Sequence, residues 1–420
     1  MEIRNGKVTF EGITAESLIK EYGSPLYVYE AKTIRDRAER LIKAINFQNK
    51  MIKYACKANT NIEIMKILKE YDTGVDAVSP GEIFAALTAG YRPEDILFTV
   101  TNPSWDEIQY AIDRKVLVNL DSLSVLSRFG REFPGYEVCV RINPDVGAGH
   151  HSHVITGGPE SKFGISYRDV QRIKEISSKY GLKIKGIHQH IGSGILDPEM
   201  FIKAMDVLLK VALEFEDLEF VDFGGGIGVP YKKEDTPLDI EELGKRITNR
   251  FQRFCSEYGK EVQLMIEPGR FFVAESGFLL ATVQSVKQEE RHLFVGVDTG
   301  FNHLIRPAMY GSYHEIYNGS NSDGTIKEQV IAGNICESGD TFTRDENGIV
   351  DRPLPEFREG DIVCIANVGA YGYSMASQYN SRPRPAEVLI ENRESRLIRK
   401  RDTIEEIFRN NLNIQQESVI

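Results

Sequence analysis

Lys57, a histidine pair at His188 and His190, the glycines Gly224, Gly225 and Gly226, and the run Glu267–Pro268–Gly269–Arg270 each close a short apolar run of this 420-residue chain. Lys57 follows YAC, and a lysine there is costly to bury unless its amine is paired or used. The use open to it is an imine with an aldehyde cofactor; taken alone, it reads more readily as an ordinary lysine at a strand end, and the other groups at the rim reverse that balance. Three glycines let a backbone come close to a phosphate and point N–H groups at it, although three glycines alone also make a plain turn. Glu267 suits a place beside a pyridine nitrogen, where a carboxylate keeps that nitrogen protonated and the ring electron-withdrawing; the alternative is a salt bridge to Arg270. His188 and His190 are two apart, so on a strand they share a face. With His150, His151 and His153 they raise a metal site as a rival. No Asp/Glu cluster in the sequence completes such a ligand set, so no metal is expected, and His190 is read as packing on a flat cofactor.

These groups need a scaffold that sets them on one rim. Eight β-rich runs are separated by amphipathic stretches: 51–59, 74–79, 95–100, 115–122, 136–144, 183–192, 218–226 and 262–270. Alternating strands and helices imply a parallel sheet with right-handed crossovers. Eight units in so short a span fit a (β/α)8 barrel, whose catalytic groups lie at the C-terminal strand ends. The run ends KAN, DAVS, TNP, DS, RINP, HQHIGS, DFGGG and EPGR collect polar residues at that rim. After residue 275 strands and turns replace the alternation, until a helix in RDTIEEIFRNNL. The expectation is a barrel over 30–275 and a mainly β domain over 276–420, joined by N-terminal strands from 1–29.

With 51 Lys+Arg against 62 Asp+Glu, the net charge of −11 argues against nucleic acid or an anionic membrane as the partner. The five cysteines include no C-x-x-C pair, which speaks against a disulfide framework or a structural zinc. MEIRNGKVTF lacks the pattern of a signal peptide, and no apolar run reaches the ~18 residues of a membrane helix, so a cytoplasmic protein is expected.

In this order, YACKAN, SKFGI, HQHIGS, GGG, EPGR, LIRPAMYGSYH, CESGD and GAYGYSMASQYN closely resemble the diaminopimelate decarboxylases. The resemblance runs from about Lys57 to Glu387. YxxKAN is shared with ornithine and arginine decarboxylases, whereas LIRPAMYGSYH together with CESGD is more discriminating. It implies an alanine-racemase-like barrel with a β domain, pyridoxal 5'-phosphate as cofactor, and conversion of meso-2,6-diaminopimelate to L-lysine and carbon dioxide, the last step of lysine biosynthesis. By the same resemblance Lys57 is the Schiff-base lysine, and Asp76, His190, Ser193, Gly226, Glu267, Gly269, Arg270 and Tyr371 contact the cofactor. Arg270, Arg306, Tyr310, Glu337 and Tyr371 line the substrate site, and Cys336 is the proton donor. The family also implies a homodimer in which the Cys336–Glu337 loop completes the partner's site. Asn334 stands where the family pattern leads us to expect proline, and Gln189 lies between the two histidines; neither change removes a catalytic group. Paired arginines suit a distal carboxylate, which diaminopimelate has and ornithine lacks. The alternatives are a decarboxylase of ornithine, arginine or carboxynorspermidine, a racemase, a non-catalytic pyridoxal-phosphate-binding barrel, and a metal-dependent hydrolase.

Overall fold

The computed structural model describes residues 1–146 and 161–417. His150, His151 and His153, named above for the rival metal site, lie outside the described residues. The chain divides into two compact units, one of Arg35–Pro230 with Thr236–Phe272, the other of Met1–Ile34, Tyr231–Asp235 and Val273–Ile420.

The first unit is a closed parallel barrel. Its strands are β1 (Lys50–Ala55), β2 (Gly74–Ala77), β3 (Ile96–Val100), β4 (Leu117–Leu120), β5 (Glu137–Asn143), β6 (Lys183–His188), β7 (Phe220–Asp222) and β8 (Gln263–Ile266). Neighbours pair in sequence order, and β8 returns to β1 through Leu264↔Lys50, Met265↔Met51 and Ile266↔Ile52. Leu97, Cys139, Phe220 and Met265, with Met51 and Leu117 against them, form an apolar cluster contributed by six of the eight strands, the packed filling of a barrel interior. Helices start where short polar residues cap them: Ser79, Ser104 and Ser122 each accept a hydrogen bond from the third helical N–H, and Ser104 with Glu107 forms a capping box. The hydrogen-bonded strands end earlier than the apolar pattern suggests. Strand β1 stops at Ala55, so Lys57 sits in a tight 3₁₀ turn, Cys56–Ala58. Strand β7 stops at Asp222, before the glycines. Chemistry at this rim is thus carried by the loops just past the strands.

In the second unit the long strand Gly277–Gln288 pairs antiparallel with Leu26–Glu30, Ile362–Ala366 and Leu293–Val297. Leu26–Glu30 also lies parallel to Ala386–Glu391. Phe10, Leu18, Val28, Phe278, Leu280, Cys364, Val388 and Ile390 fill its core. The expectation of strands alone in the first 29 residues needs correction, because Ala15–Tyr22 is a helix capped by Thr14. Leu18 places it on the core; the flanking strands obscure its short periodicity. Among the described residues, no helix is long and apolar enough to cross a membrane.

Candidate active site

The barrel rim places Lys57 Nζ 3.0 Å from Asp76 Oδ2, which comes from β2 and is fully buried, while the lysine side chain keeps 32% of its exposure. Asp76 therefore holds an ammonium at the mouth of the barrel, reachable from solvent. Beneath it, Cys56 Sγ donates to the Asp76 carbonyl and to Glu82 Oε2, both at 3.4 Å. Glu82 also accepts the Val78 N–H at 2.8 Å and ties the turn to the following helix.

His190 is half-buried and accepts the Gly225 N–H at Nδ1 at 3.0 Å. An acceptor Nδ1 makes this a neutral imidazole with its proton on Nε2. Loss of hydration, with the Lys57 ammonium nearby, holds its pKa well below the usual histidine value. The loops after β6 and β7 are stitched together by Ile195 N–H to Gly226 O at 2.9 Å and Gly228 N–H to Ile195 O at 3.0 Å. Only glycine fits the turn between them. At Gly224, with φ +68°, a Cβ would lie 2.1 Å from Gln189 O, and Gly226 has φ +113°. At Gly269 a Cβ would meet Ala55 O at 2.9 Å. The side chain of Arg270, 3% exposed, donates to Ser193 Oγ through Nε at 3.3 Å and Nη2 at 2.9 Å.

Glu267 is paired differently from the simple salt bridge to Arg270 considered above. Its Oε2 lies 2.8 Å from His188 Nε2, with both side chains almost wholly buried. Burial, reinforced by the negative charge of Asp76, pushes Glu267 up to about 8. Burial lowers His188 to about 4, so this ring is neutral near pH 7, and a single proton lies between its Nε2 and Glu267 Oε2. The other carboxylate oxygen, Oε1, is buried with no hydrogen-bond partner. An enclosed carboxylate with one oxygen unmatched suits the protonated nitrogen of a pyridine ring. With the amine of Lys57 and a glycine-lined loop suited to a phosphate, the donor set of the rim fits pyridoxal phosphate.

In the other unit Arg306 is 1% exposed, opens the short helix Arg306–Tyr310, and donates to Ser312 Oγ at 3.2 Å. Its guanidinium carbon lies 5.5 Å from the Tyr231 ring centroid and 5.8 Å from that of Tyr310. Tyr371 holds φ +58°, a left-handed backbone that costs a non-glycine residue about 1–2 kcal/mol. Cys336 and Glu337 are both exposed. Their loop is anchored by Cys336 N–H to Asn380 Oδ1 at 2.9 Å and by Tyr379 Oη–H to Glu337 Oε2 at 3.0 Å.

Asp340, at the end of CESGD, is the anchor that motif reading missed. Its carboxylate accepts Phe301 N–H at 2.6 Å and Ile335 N–H at 2.7 Å, and its carbonyl accepts Gly333 N–H at 2.9 Å. The signal lay in an acid following glycine at a turn, but its partner Phe301 is 39 residues away. Asp340→Ala strands two donors, so urea unfolding should show a loss of about 2–4 kcal/mol, and Asp340→Asn a smaller one. An unchanged unfolding midpoint in the alanine variant would remove Asp340 as the anchor.

The family model described as "Pyridoxal-dependent decarboxylase, pyridoxal binding domain" matches residues 31–274. The diaminopimelate decarboxylase of Methanothermobacter thermautotrophicus is 46% identical over 414 residues, covering 96% of this chain and 95% of that protein. A crystal structure of a diaminopimelate decarboxylase superposes with TM-score 0.90 at 39% identity, over 96% of this chain and 97% of that one. Another, from Helicobacter pylori in complex with L-lysine, gives 0.86 at 35% identity, over 95% and 99%. With similarity of this degree running through both units, the chain belongs to the pyridoxal-dependent diaminopimelate decarboxylase family.

Proposed function

We propose that this chain releases carbon dioxide from meso-2,6-diaminopimelate to give L-lysine, with pyridoxal phosphate carried on Lys57. The observation that carries this reading is the Lys57 amine, poised at the rim on buried Asp76. Pyridoxal phosphate, when bound, supplies an electron sink for the pair left behind as the carboxylate departs. Lys57 would hold the cofactor through its amine. Glu267 would keep the proton on the ring nitrogen, and the His190 imidazole would pack on the ring. Gly226, Gly269 and Ser193 hold the phosphate end, with Arg270 fixing Ser193.

The same proposal assigns the substrate to Arg270, Arg306, Tyr310, Glu337 and Tyr371, with Tyr371 also touching the cofactor. The two arginines fit a carboxylate by paired N–H donors, and the Glu337 carboxylate fits the distal ammonium. The Cys336 thiol delivers the proton that replaces the lost carboxylate. Because Cys336 and Glu337 stand exposed on their own unit, we take the working enzyme to be a homodimer in which this loop serves the partner's site. Five free cysteines suit a reducing compartment, and we place the protein in the cytoplasm.

Carbon dioxide release from meso-diaminopimelate, ornithine and arginine tests the substrate. Buried arginines left without their carboxylate penalise a substrate that lacks it. Ornithine should therefore show a kcat/KM lower by on the order of 10²-fold or more. Equal turnover of ornithine would end the substrate assignment and leave the reaction class standing.

A further inference from the structure

We infer that Asp222 is a neutral carboxylic acid in the working enzyme, a positioning residue that donates its proton to Glu267 and, with His188, aims that carboxylate at the cofactor's ring nitrogen. The inference rests on the role proposed for Glu267. Asp222 is the last residue of β7, is 0% exposed, and has no part in the chemistry described so far. The parallel register sets it directly beside His188 on one side and Met265 on the other, two residues before Glu267.

Its two oxygens have different surroundings. Oδ1 accepts the Gly224 N–H at 2.9 Å, which fixes the carboxyl group against the glycine turn. Oδ2 is buried with no partner, as is Glu267 Oε1. One ligand-capable atom from each of His188, Asp222 and Glu267 lies within 4.8 Å of the others. Were both acids ionised, two buried negative charges would face each other beside a neutral imidazole, which disfavours the second charge. Lys53, on β1, acts on Asp222 and donates to the Asp95 carbonyl at 2.9 Å, while Asp76, Lys57 and Arg141 act on Glu267 and His188. The buried thiol of Cys139 on β5 also feels both acids. Burial and then Glu267 push Asp222 well above the carboxylate range, against weaker opposing pulls from His188, the Gly224 N–H and Lys53.

A proton on Asp222 resolves the contact by turning an acceptor into a donor. Glu267 then receives an N–H from His188 and an O–H from Asp222, both uncharged. Neither donor cancels its negative charge, which the ring nitrogen is left to balance. This arrangement orients the carboxylate without competing with the cofactor.

The chemistry makes Asp222→Asn and Asp222→Ala behave differently. Asparagine keeps an acceptor for the Gly224 N–H and offers an N–H to Glu267, whereas alanine supplies neither. In the cofactor-loaded enzyme, Asp222→Asn should bind pyridoxal phosphate within about threefold of the unmodified protein, with the same absorbance band. Asp222→Ala should weaken binding by on the order of 10-fold or more and displace the band. Isotope-edited infrared spectra of the unmodified holoenzyme should contain a neutral carboxylic acid stretch that Asp222→Asn lacks, a readout that stands even if the alanine variant does not fold. An affinity loss in Asp222→Asn as large as in Asp222→Ala, or no acid stretch assignable to Asp222, overturns the inference. Glu267→Gln separates the two readings. If its absorbance band is unchanged, the Glu267 assignment falls and the inference with it. If the band shifts but the acid stretch is missing, the inference alone falls.

Discussion

Replacing Lys57 with alanine should reduce kcat for carbon dioxide release by on the order of 10³-fold or more. In the proposed function the amine is the group through which the chain would hold its cofactor. Borohydride treatment of the unmodified holoenzyme, followed by peptide mapping, should find the pyridoxyl group on Lys57. Its appearance on any other lysine would end the assignment. The alanine variant also leaves Asp76 buried without the ammonium 3.0 Å away. Because Lys57 keeps 32% of its exposure, water offsets part of that loss, and a destabilisation of roughly 1–3 kcal/mol is expected. Lys57→Arg separates the two effects. A guanidinium can stay beside Asp76 and preserve the fold, but it remains protonated and cannot act as the nucleophile. Full stability with activity still lost is therefore the expected outcome for arginine. Activity retained in Lys57→Arg would show that Lys57 serves only as a counter-charge.

The barrel was legible because its strands are buried on both faces and read as short apolar runs broken by amphipathic helices. That pattern places Lys57, His190, Gly226 and Glu267 past successive strand ends, and the structure sets them at one rim of a closed sheet. What the pattern could not express is pairing between distant residues. Glu267 followed by Arg270 reads as a local salt bridge, yet the partner of Glu267 is His188, 79 residues earlier. Asp222 stood in view in DFGGG, but the glycines drew the chemical reading and the acid passed as a strand end. Arg141, buried inside RINP with its guanidinium 4.6 Å from the Phe163 ring centroid, was likewise read as part of a strand. The short helix Ala15–Tyr22 and the one-turn helix Arg306–Tyr310 are too brief for periodicity to separate them from turns. Both are sustained by what they pack on, a fact of tertiary structure. Local pattern thus reached the scaffold and the reactive groups, while the residues that orient those groups came only with the coordinates.

Mixing two inactive proteins, Lys57→Ala and the double variant Cys336→Ala with Glu337→Ala, should restore about a quarter of normal activity once their subunits exchange. The argument is combinatorial. If each site takes its barrel from one subunit and its loop from the other, a mixed dimer has one site with both parts intact and one with neither. Random re-association makes half of the dimers mixed, and half of their sites work. The structure offers a reason to expect the loop to act on a partner. Cys336 and Glu337 stand exposed on their unit, yet their loop is held by Asn380, Tyr379 and the buried carboxylate of Asp340. Such anchoring of an exposed thiol and carboxylate is what a preorganised contribution to another surface requires. If the loop serves a partner, this anchored conformation is already formed, so exchange alone should suffice for recovery without added effectors. A mixed population with proven exchange and no activity would place Cys336 and Glu337 in the site of their own chain.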